Sequence, residues 1–175
     1  MQNKQLIKAQ VEILYSQSAV TFLFPVLASI ILGFVLWEVA HKRILIAWVV
    51  VIWVYAASRF VLLWKYNKTE ITLDNAAKWL DIFIGSVCLS GIMWGLAAII
   101  LMPHEGKNIT EFTMYTGITL LSVSGLVAGA TISYSVCLSV LYFYVLPALL
   151  PPALYLIALG DIYNSTLGGF ILLYC

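Results

Sequence analysis

Long apolar runs separated by short polar stretches dominate this chain. The successive apolar runs approach or exceed the length of about 18 residues that marks a membrane-spanning helix. Charged residues, prolines and glycines interrupt the pattern between them. We therefore predict an all-α polytopic transmembrane bundle, with full spans at about 18–39, 44–64, 79–102, 109–130 and 135–159 and a sixth that begins near 166.

The last apolar run follows the polar stretch 160–165 and stops at Cys175. Its roughly ten helical residues rise about 15 Å, whereas the hydrocarbon core of a bilayer is about 30 Å thick. This length predicts five full spans and a truncated sixth, that is, a membrane domain cut within its final helix.

The N-terminal stretch has a different, amphipathic pattern. Ile7, Val11 and Leu14 recur at steps of three and four, and lysines lie on another face of the predicted helix. We expect this helix to lie along the membrane surface, although it could instead extend the first span into water. The sequence divides accordingly into an interfacial helix, 1–16, and a transmembrane input domain, 17–175.

Composition narrows the class of protein. Hydrophobic residues make up 63 % of the chain and charged residues 10 %, which excludes an ordinary soluble domain. A net charge of +1 without a basic run argues against a nucleic-acid partner. The three cysteines have no metal-ligand spacing, and we predict no cofactor and no metal.

Lysine and arginine positions predict the orientation. With the N-terminus in the cytoplasm, six of the nine cationic residues lie on or near the inner side and three lie outside. The positive-inside rule favours this arrangement. The inner set is Lys4, Lys8, Arg59, Lys65, Lys68 and Lys78, and the outer set is Lys42, Arg43 and Lys107.

Arg59 and Asp81 are charges within or at the edge of apolar sequence. Arg59 lies six residues before Lys65, close enough for its side chain to reach the inner interface, and Asp81 begins the third span at a similar depth. We predict an ion pair that ties the second span to the third. The alternatives are plain interfacial charges and a path for protons or ions.

Two GxxxG motifs mark close-packing surfaces. Gly91 and Gly95 lie in the third span, and Gly125 and Gly129 lie in the fourth. Small residues let helix backbones approach each other in lipid. The motifs predict either packing of these two spans against each other or a dimer interface.

Pro147, Pro151 and Pro152 interrupt the fifth span. Each removes a backbone donor and disturbs the preceding turn, which makes these residues candidate hinges. The alternative is a kink of fixed angle.

Motifs that would carry chemistry are missing from the sequence. It has no nucleophile elbow, P-loop, zinc-ligand pair or carboxylate dyad, so we expect no catalytic residue in this chain. His41 and His104 lie near Glu38 and Glu105, but their spacing is not that of a metal site, and they are interpreted as unrelated interface residues.

Four segments together resemble the N-terminal membrane region of bacterial multi-domain signalling proteins, the sensor histidine kinases and the GGDEF/EAL cyclic-di-GMP enzymes. The likeness covers nearly the whole chain, and its motifs are packing and turn signals. It implies a kinase or a cyclase/phosphodiesterase after the sixth span and a homodimer through the parent protein. The segments are 11–18 (VEILYSQS), 91–98 (GIMWGLAA), 124–130 (SGLVAGA) and 146–151 (LPALLP).

The expected function is therefore that of a membrane-embedded input domain, which anchors and regulates a cytoplasmic signalling enzyme. Its expected partners are the lipid bilayer and a small or lipophilic ligand of unknown identity. Two alternatives stay open: a small transporter or channel subunit, and a membrane scaffold without a sensing role. A transporter would require a polar cavity and charges on several spans.

Overall fold

The described part of the chain, residues 2–101 and 109–174 of a computed structural model, is all-helical and contains no strand. This confirms the predicted fold class at the level of an α-helical protein. The helices are α1 (Gln2–Ser16), α2 (Ser18–Val35), α3 (Lys42–Asn67), α4 (Ala76–Ile100), α5 (Ile109–Tyr134), α6 (Leu138–Ala158) and α7 (Ile162–Tyr174).

Four helices are long and apolar enough to cross a bilayer: α3, α4, α5 and α6. The prediction of five full spans is therefore supported for four. Among the described side chains of α2, the apolar stretch is Leu23–Val35, which is shorter than the others, and α7 is similarly short. The first span is shorter than predicted because turns occupy the chain after Val35, where the apolar pattern predicts continued helix.

Helices α3 and α5 extend past the limits that hydropathy predicts, whereas α6 (Leu138–Ala158) is shorter at both ends than the predicted span 135–159. The span predicted at 44–64 is the helix Lys42–Asn67, and the one predicted at 109–130 reaches Tyr134. Polar residues at the ends of a span leave the apolar window but continue the helical hydrogen bonding. Hydropathy therefore locates the apolar segment better than it locates the helix ends.

The centre of the bundle is the pair α4 and α6, which share the most extensive helix–helix contact. Trp94 and Phe83 of α4 and Leu149 and Leu156 of α6 are almost fully buried. The pair α2 and α3 packs beside this centre and leaves large apolar side chains uncovered, such as Phe34 at 82 % exposure. Such outward apolar surface matches helices that face lipid.

Helix α1 packs on the protein through its apolar face, and the expectation that it lies along the membrane surface stays a prediction. Its amphipathic character is confirmed, but Val11, Leu14 and Tyr15 are buried. The Tyr15 ring stacks on that of Tyr66, with ring centroids 3.8 Å apart, and contacts Trp79 edge-on. The apolar face of α1 therefore packs against these aromatic residues of α3 and α4.

Two polar contacts place α1 at one end of the bundle. Lys4 Nζ lies 2.8 Å from Asp74 Oδ1 in the α3–α4 connection, and this hydrogen bond lowers the pKa of the Asp74 carboxyl. Gln10 Nε2 donates to the carbonyl oxygen of Val136, in the α5–α6 turn, at 2.8 Å. The N-terminal helix and both connections therefore lie at the same end of the molecule.

Candidate functional site

A cavity of about 180 Å³ lies between helices α2 to α6 and is the best-supported candidate site. Its walls combine apolar side chains from α2, α3 and α5 with a polar set. That set consists of Tyr55, Arg59, Ser90, Ser133, Tyr134 and Tyr144. The sequence did not predict this cavity, because the polar residues come from four helices and no single segment carries the pattern.

Arg59 supplies the charge of the site. It lies on α3 and is only 3 % exposed. Its Nη1 atom donates a hydrogen bond to Ser86 Oγ, and its guanidinium lies over the ring of Phe83, 4.7 Å from the centroid. The neighbouring helix α4 thus holds the guanidinium through one hydroxyl and one aromatic face.

Asp81, the predicted partner of Arg59, is exposed. It precedes Phe83 by two residues, so the two side chains leave α4 about 200° apart. The contacts of Arg59 with Ser86 and Phe83 lie on the inward-facing side of α4. The ion pair stays a prediction, and the helical register favours the contacts with Ser86 and Phe83 as the link between α3 and α4.

Aromatic residues connect the cavity to the N-terminal helix. Tyr144 packs edge-on against Tyr134, Tyr134 against Phe83 and Phe83 against Tyr15, with ring centroids 5.6, 5.9 and 5.2 Å apart. The hydroxyl of Tyr55 donates to the carbonyl oxygen of Ser86 at 2.6 Å and fixes α3 against α4. The cavity wall is therefore built from packed rings.

The GxxxG motif of α5 lines this cavity. A Cβ atom added at Gly125 or Gly129 would meet nothing within 4 Å. Both glycines belong to the cavity wall. The absent side chains leave open space there, so the expected packing of this motif against the motif of α4 is not found.

The GxxxG motif of α4 packs against α6 instead of α5. A Cβ atom at Gly91 would lie 2.5 Å from the carbonyl oxygen of Tyr144, and one at Gly95 would overlap the carbonyl oxygen of Pro147. These approaches to the backbone are possible only for glycine. The motif therefore packs closely within one chain, as one of the two alternatives predicts. Its partner is α6 and not the predicted α5 helix.

The prolines of α6 explain which carbonyl groups lie on Gly95. Pro151 and Pro152 have no N–H, so they cannot donate to the carbonyl groups four residues earlier, those of Pro147 and Ala148. These are the two oxygens nearest to a Cβ atom added at Gly95. Contacts between Cα–H groups and carbonyl oxygens recur at close helix–helix interfaces. Such contacts partly replace the backbone hydrogen bonds that these carbonyl groups lose because of the prolines.

Helix α6 runs without a break through all three prolines. The hinge role of Pro147, Pro151 and Pro152 stays a prediction. Their fit against the glycines of α4 favours the alternative, a bend of fixed angle.

The other candidate residues form no metal site in the described residues, where no group of three potential ligands occurs. His41 and Glu38 are exposed beside the start of α3. His104 and Glu105 lie outside the described residues. Cys88 and Cys137 are free thiols.

Comparison with family models, with curated proteins and with solved structures found no match to the chain. The cavity and the packing around it are therefore the basis for inferring function. A single guanidinium among hydroxyl groups can hold an anion or a polar head group, but the described lining residues include no adjacent nucleophile and base. The arrangement suits binding.

Proposed function

We propose that this chain is the input domain of a bacterial inner-membrane signalling protein, where it regulates a histidine kinase or a GGDEF/EAL enzyme on its C-terminal side. The observation that carries the proposal is the cavity around Arg59, which is lined by residues of five helices. An input domain needs a site that a signal can occupy, and this cavity provides one.

Packing links the cavity to the last helix. Tyr144 of α6 lines the cavity, and further along α6 Ala153 and Ile157 receive α7. A Cβ atom at Gly168 of α7 would lie 2.7 Å from the Ala153 carbonyl oxygen. A ligand that favours one packing of α6 would therefore also favour one position of α7, in proportion to its differential affinity for the two packings.

The proposed topology places α1 in the cytoplasm and makes α2 a fifth span. At 18 residues, α2 is about 27 Å long and nearly matches the hydrocarbon core. Helix α7 would then return toward the cytoplasm and carry the output domain, as a homodimer of the parent protein.

The charges of the cavity favour an input domain over a transporter or channel subunit. Among the described lining residues, Arg59 is the one charged side chain. A hydrated path would need charged or strongly polar groups on several spans. The other lining residues are apolar side chains, glycines, tyrosines and two serines, Ser90 and Ser133, and none of them is charged.

The test is made on the full-length parent protein. The reading frame downstream of Cys175 is expected to encode a kinase or a GGDEF/EAL domain, and a stop codon directly after Cys175 would contradict the proposal.

In that protein, Gly168→Ala is expected to change the basal kinase or cyclase activity severalfold, because it displaces α7 from α6. Gly169→Ala is the matched control, since its Cβ atom would meet nothing within 4 Å. Equal activities of the two variants and the wild type would show that the contact of α7 with α6 does not reach the output.

A further inference from the structure

We infer that the cavity around Arg59 is a binding site for a small monocarboxylate with a short apolar body. Arg59, three hydroxyl-bearing residues (Ser90, Ser133 and Tyr134) and the apolar side chains of Phe24 and Leu126 all line one cavity. The role of this ligand as a signal rests on the proposed function. Its binding to the cavity does not.

The charge of the cavity lining favours an anionic ligand. This charge is positive, because Arg59 is the one charged residue of the lining in the described part of the chain. A guanidinium presents a planar fork of N–H donors that matches a carboxylate, and nearby hydroxyl groups can donate to the same oxygens. An arginine buried within a spanning helix is costly, and such residues mark ligand or ion sites by default.

The single positive charge of the cavity lining favours a monocarboxylate over a phosphate as the ligand. A single guanidinium balances a single negative charge, whereas a phosphate monoester would bring a second one into a largely apolar wall. The remainder of the ligand would contact Phe24 and Pro25 of α2 and Leu126 of α5, which are apolar.

The volume limits the size of the ligand. Protein cavities of about 150 Å³ hold a molecule as large as benzene. The space of about 180 Å³ therefore fits a carboxylate of roughly six to ten non-hydrogen atoms. Gly125 and Gly129 line part of this space without filling it, because a Cβ atom added at either position would meet nothing within 4 Å.

The test uses the purified chain in nanodiscs of zwitterionic phosphatidylcholine at about pH 7, where carboxylic acids are ionised. The probe is 5,5,5-trifluoropentanoate, and its binding is followed by fluorine NMR against the neutral 5,5,5-trifluoropentanamide. We expect saturable binding of one acid per chain, displaced by unlabelled hexanoate. The amide is expected to bind at least tenfold more weakly.

Three variants separate the site from partitioning into lipid. Arg59→Gln is expected to weaken binding of the acid at least tenfold, and so is Gly129→Val, which fills the cavity without removing a charge. Gly117→Val is the matched control on the same helix, because Gly117 lies outside the cavity wall and its Cβ atom also meets nothing within 4 Å. It should bind like the wild type.

Several results would overturn the inference. One is equal binding of acid and amide with no effect of Arg59→Gln. Another is no saturable binding of any straight-chain acid of four to eight carbons to the folded wild type. A third is equal loss of binding in Gly117→Val and Gly129→Val. Because these measurements need no output domain, they are independent of the Gly168→Ala test, and either proposal can fail alone.

Discussion

At the scale of single residues, Gly95 shows how closely α4 and α6 approach. An added Cβ atom would overlap the carbonyl oxygen of Pro147 and lie 3.1 Å from that of Ala148, and a backbone cannot move aside as a side chain can. We expect Gly95→Ala to lower the free energy of unfolding by about 2 kcal/mol, as overpacking does. Thermal unfolding in detergent, followed by tryptophan fluorescence, measures the change.

Gly85 provides the control for this prediction on the same helix. It is exposed, and a Cβ atom there would meet nothing within 4 Å. Because alanine favours helix more than glycine does, Gly85→Ala should be neutral or slightly stabilising. A Gly95→Ala variant as stable as Gly85→Ala would show that the two helices are not this close.

The glycines also show what a sequence motif predicts and what it leaves open. GxxxG indicates a surface that allows close approach, and Gly91 and Gly95 meet that expectation. The motif does not identify its partner, because the tertiary arrangement determines which helix backbone packs against it. Gly125 and Gly129 therefore have the same spacing but face open space.

Asp161 gives a pH-dependent prediction at the start of α7. Its Oδ1 atom accepts a hydrogen bond from the backbone N–H of Asn164 at 2.8 Å, which lowers the pKa of the carboxyl. Since the folded-state pKa is depressed, the carboxylate stabilises the first turn of α7 above its ordinary pKa. The effect is lost as pH falls through the folded-state value.

Hydrogen exchange at Asn164 measures this cap. We expect faster exchange in Asp161→Ala at neutral pH and little change in Asp161→Asn, which keeps an acceptor oxygen. In the wild type, protection of this amide should fall in acid, whereas Asp161→Asn should show no such titration. Identical profiles for all three proteins would mean that the side chain does not cap the helix.

At the scale of elements, α1 is expected to depend on one aromatic residue. Tyr15 is buried and contacts Tyr66, Trp79 and Phe83. Replacing a buried aromatic side chain by alanine costs about 3 kcal/mol or more. Tyr15→Ala should therefore release α1 and speed trypsin cleavage after Lys4 and Lys8 severalfold.

Ile13→Ala is the matched control for α1, because Ile13 is 41 % exposed on the same helix. It should leave the cleavage rate close to that of the wild type. Equally fast cleavage in both variants would indicate that helicity, and not docking through Tyr15, protects the lysines.

The relation between α4 and α6 can be tested by a double-mutant cycle. Pro151→Ala returns an N–H that can bond to the Pro147 carbonyl and draw its oxygen away from Gly95. We expect Pro151→Ala to reduce the cost of Gly95→Ala, with a coupling of about 1 kcal/mol in the free energy of unfolding. Gly91→Ala with Pro151→Ala should be additive, because the Tyr144 oxygen near Gly91 pairs with Ala148, which keeps its N–H. Additive changes in the free energy of unfolding in both cycles would show that Pro151 does not influence the contact at Gly95.

Hydropathy predicts the apolar helices well because each spanning segment must satisfy its own backbone hydrogen bonds. It fails for α2, whose apolar pattern continues through Leu36 and Trp37 although the helix ends at Val35. It also leaves open what covers an amphipathic face. Lipid and the aromatic rings of Tyr66 and Trp79 would both accept Val11 and Tyr15, and only the folded arrangement decides between them.

At the scale of the whole molecule, the sequence predicts the class of protein but does not reveal its site. A composition with 63 % hydrophobic residues is by itself sufficient to exclude an ordinary soluble domain. The cavity depends on side chains from five helices, and its glycine-lined wall exists only because no neighbouring helix fills that space. Arg59 is recognisable in the sequence as a charge in an apolar run, yet its contacts with Ser86 and Phe83 require the packed bundle.

The end at which each loop lies links the side of the membrane of one loop to that of the others. The N-terminal helix and the α3–α4 connection lie at one end, joined by Lys4 and Asp74, so a cytoplasmic N-terminus requires Glu70 in the cytoplasm as well. His41 is separated from that connection by α3, a helix long enough to span, and should lie outside. In a background without the native cysteines, His41→Cys is expected to react with an impermeant maleimide in intact spheroplasts. Glu70→Cys should react only after permeabilisation. The reverse pattern would invert the topology, and labelling of both from one side would mean that α3 does not cross the membrane.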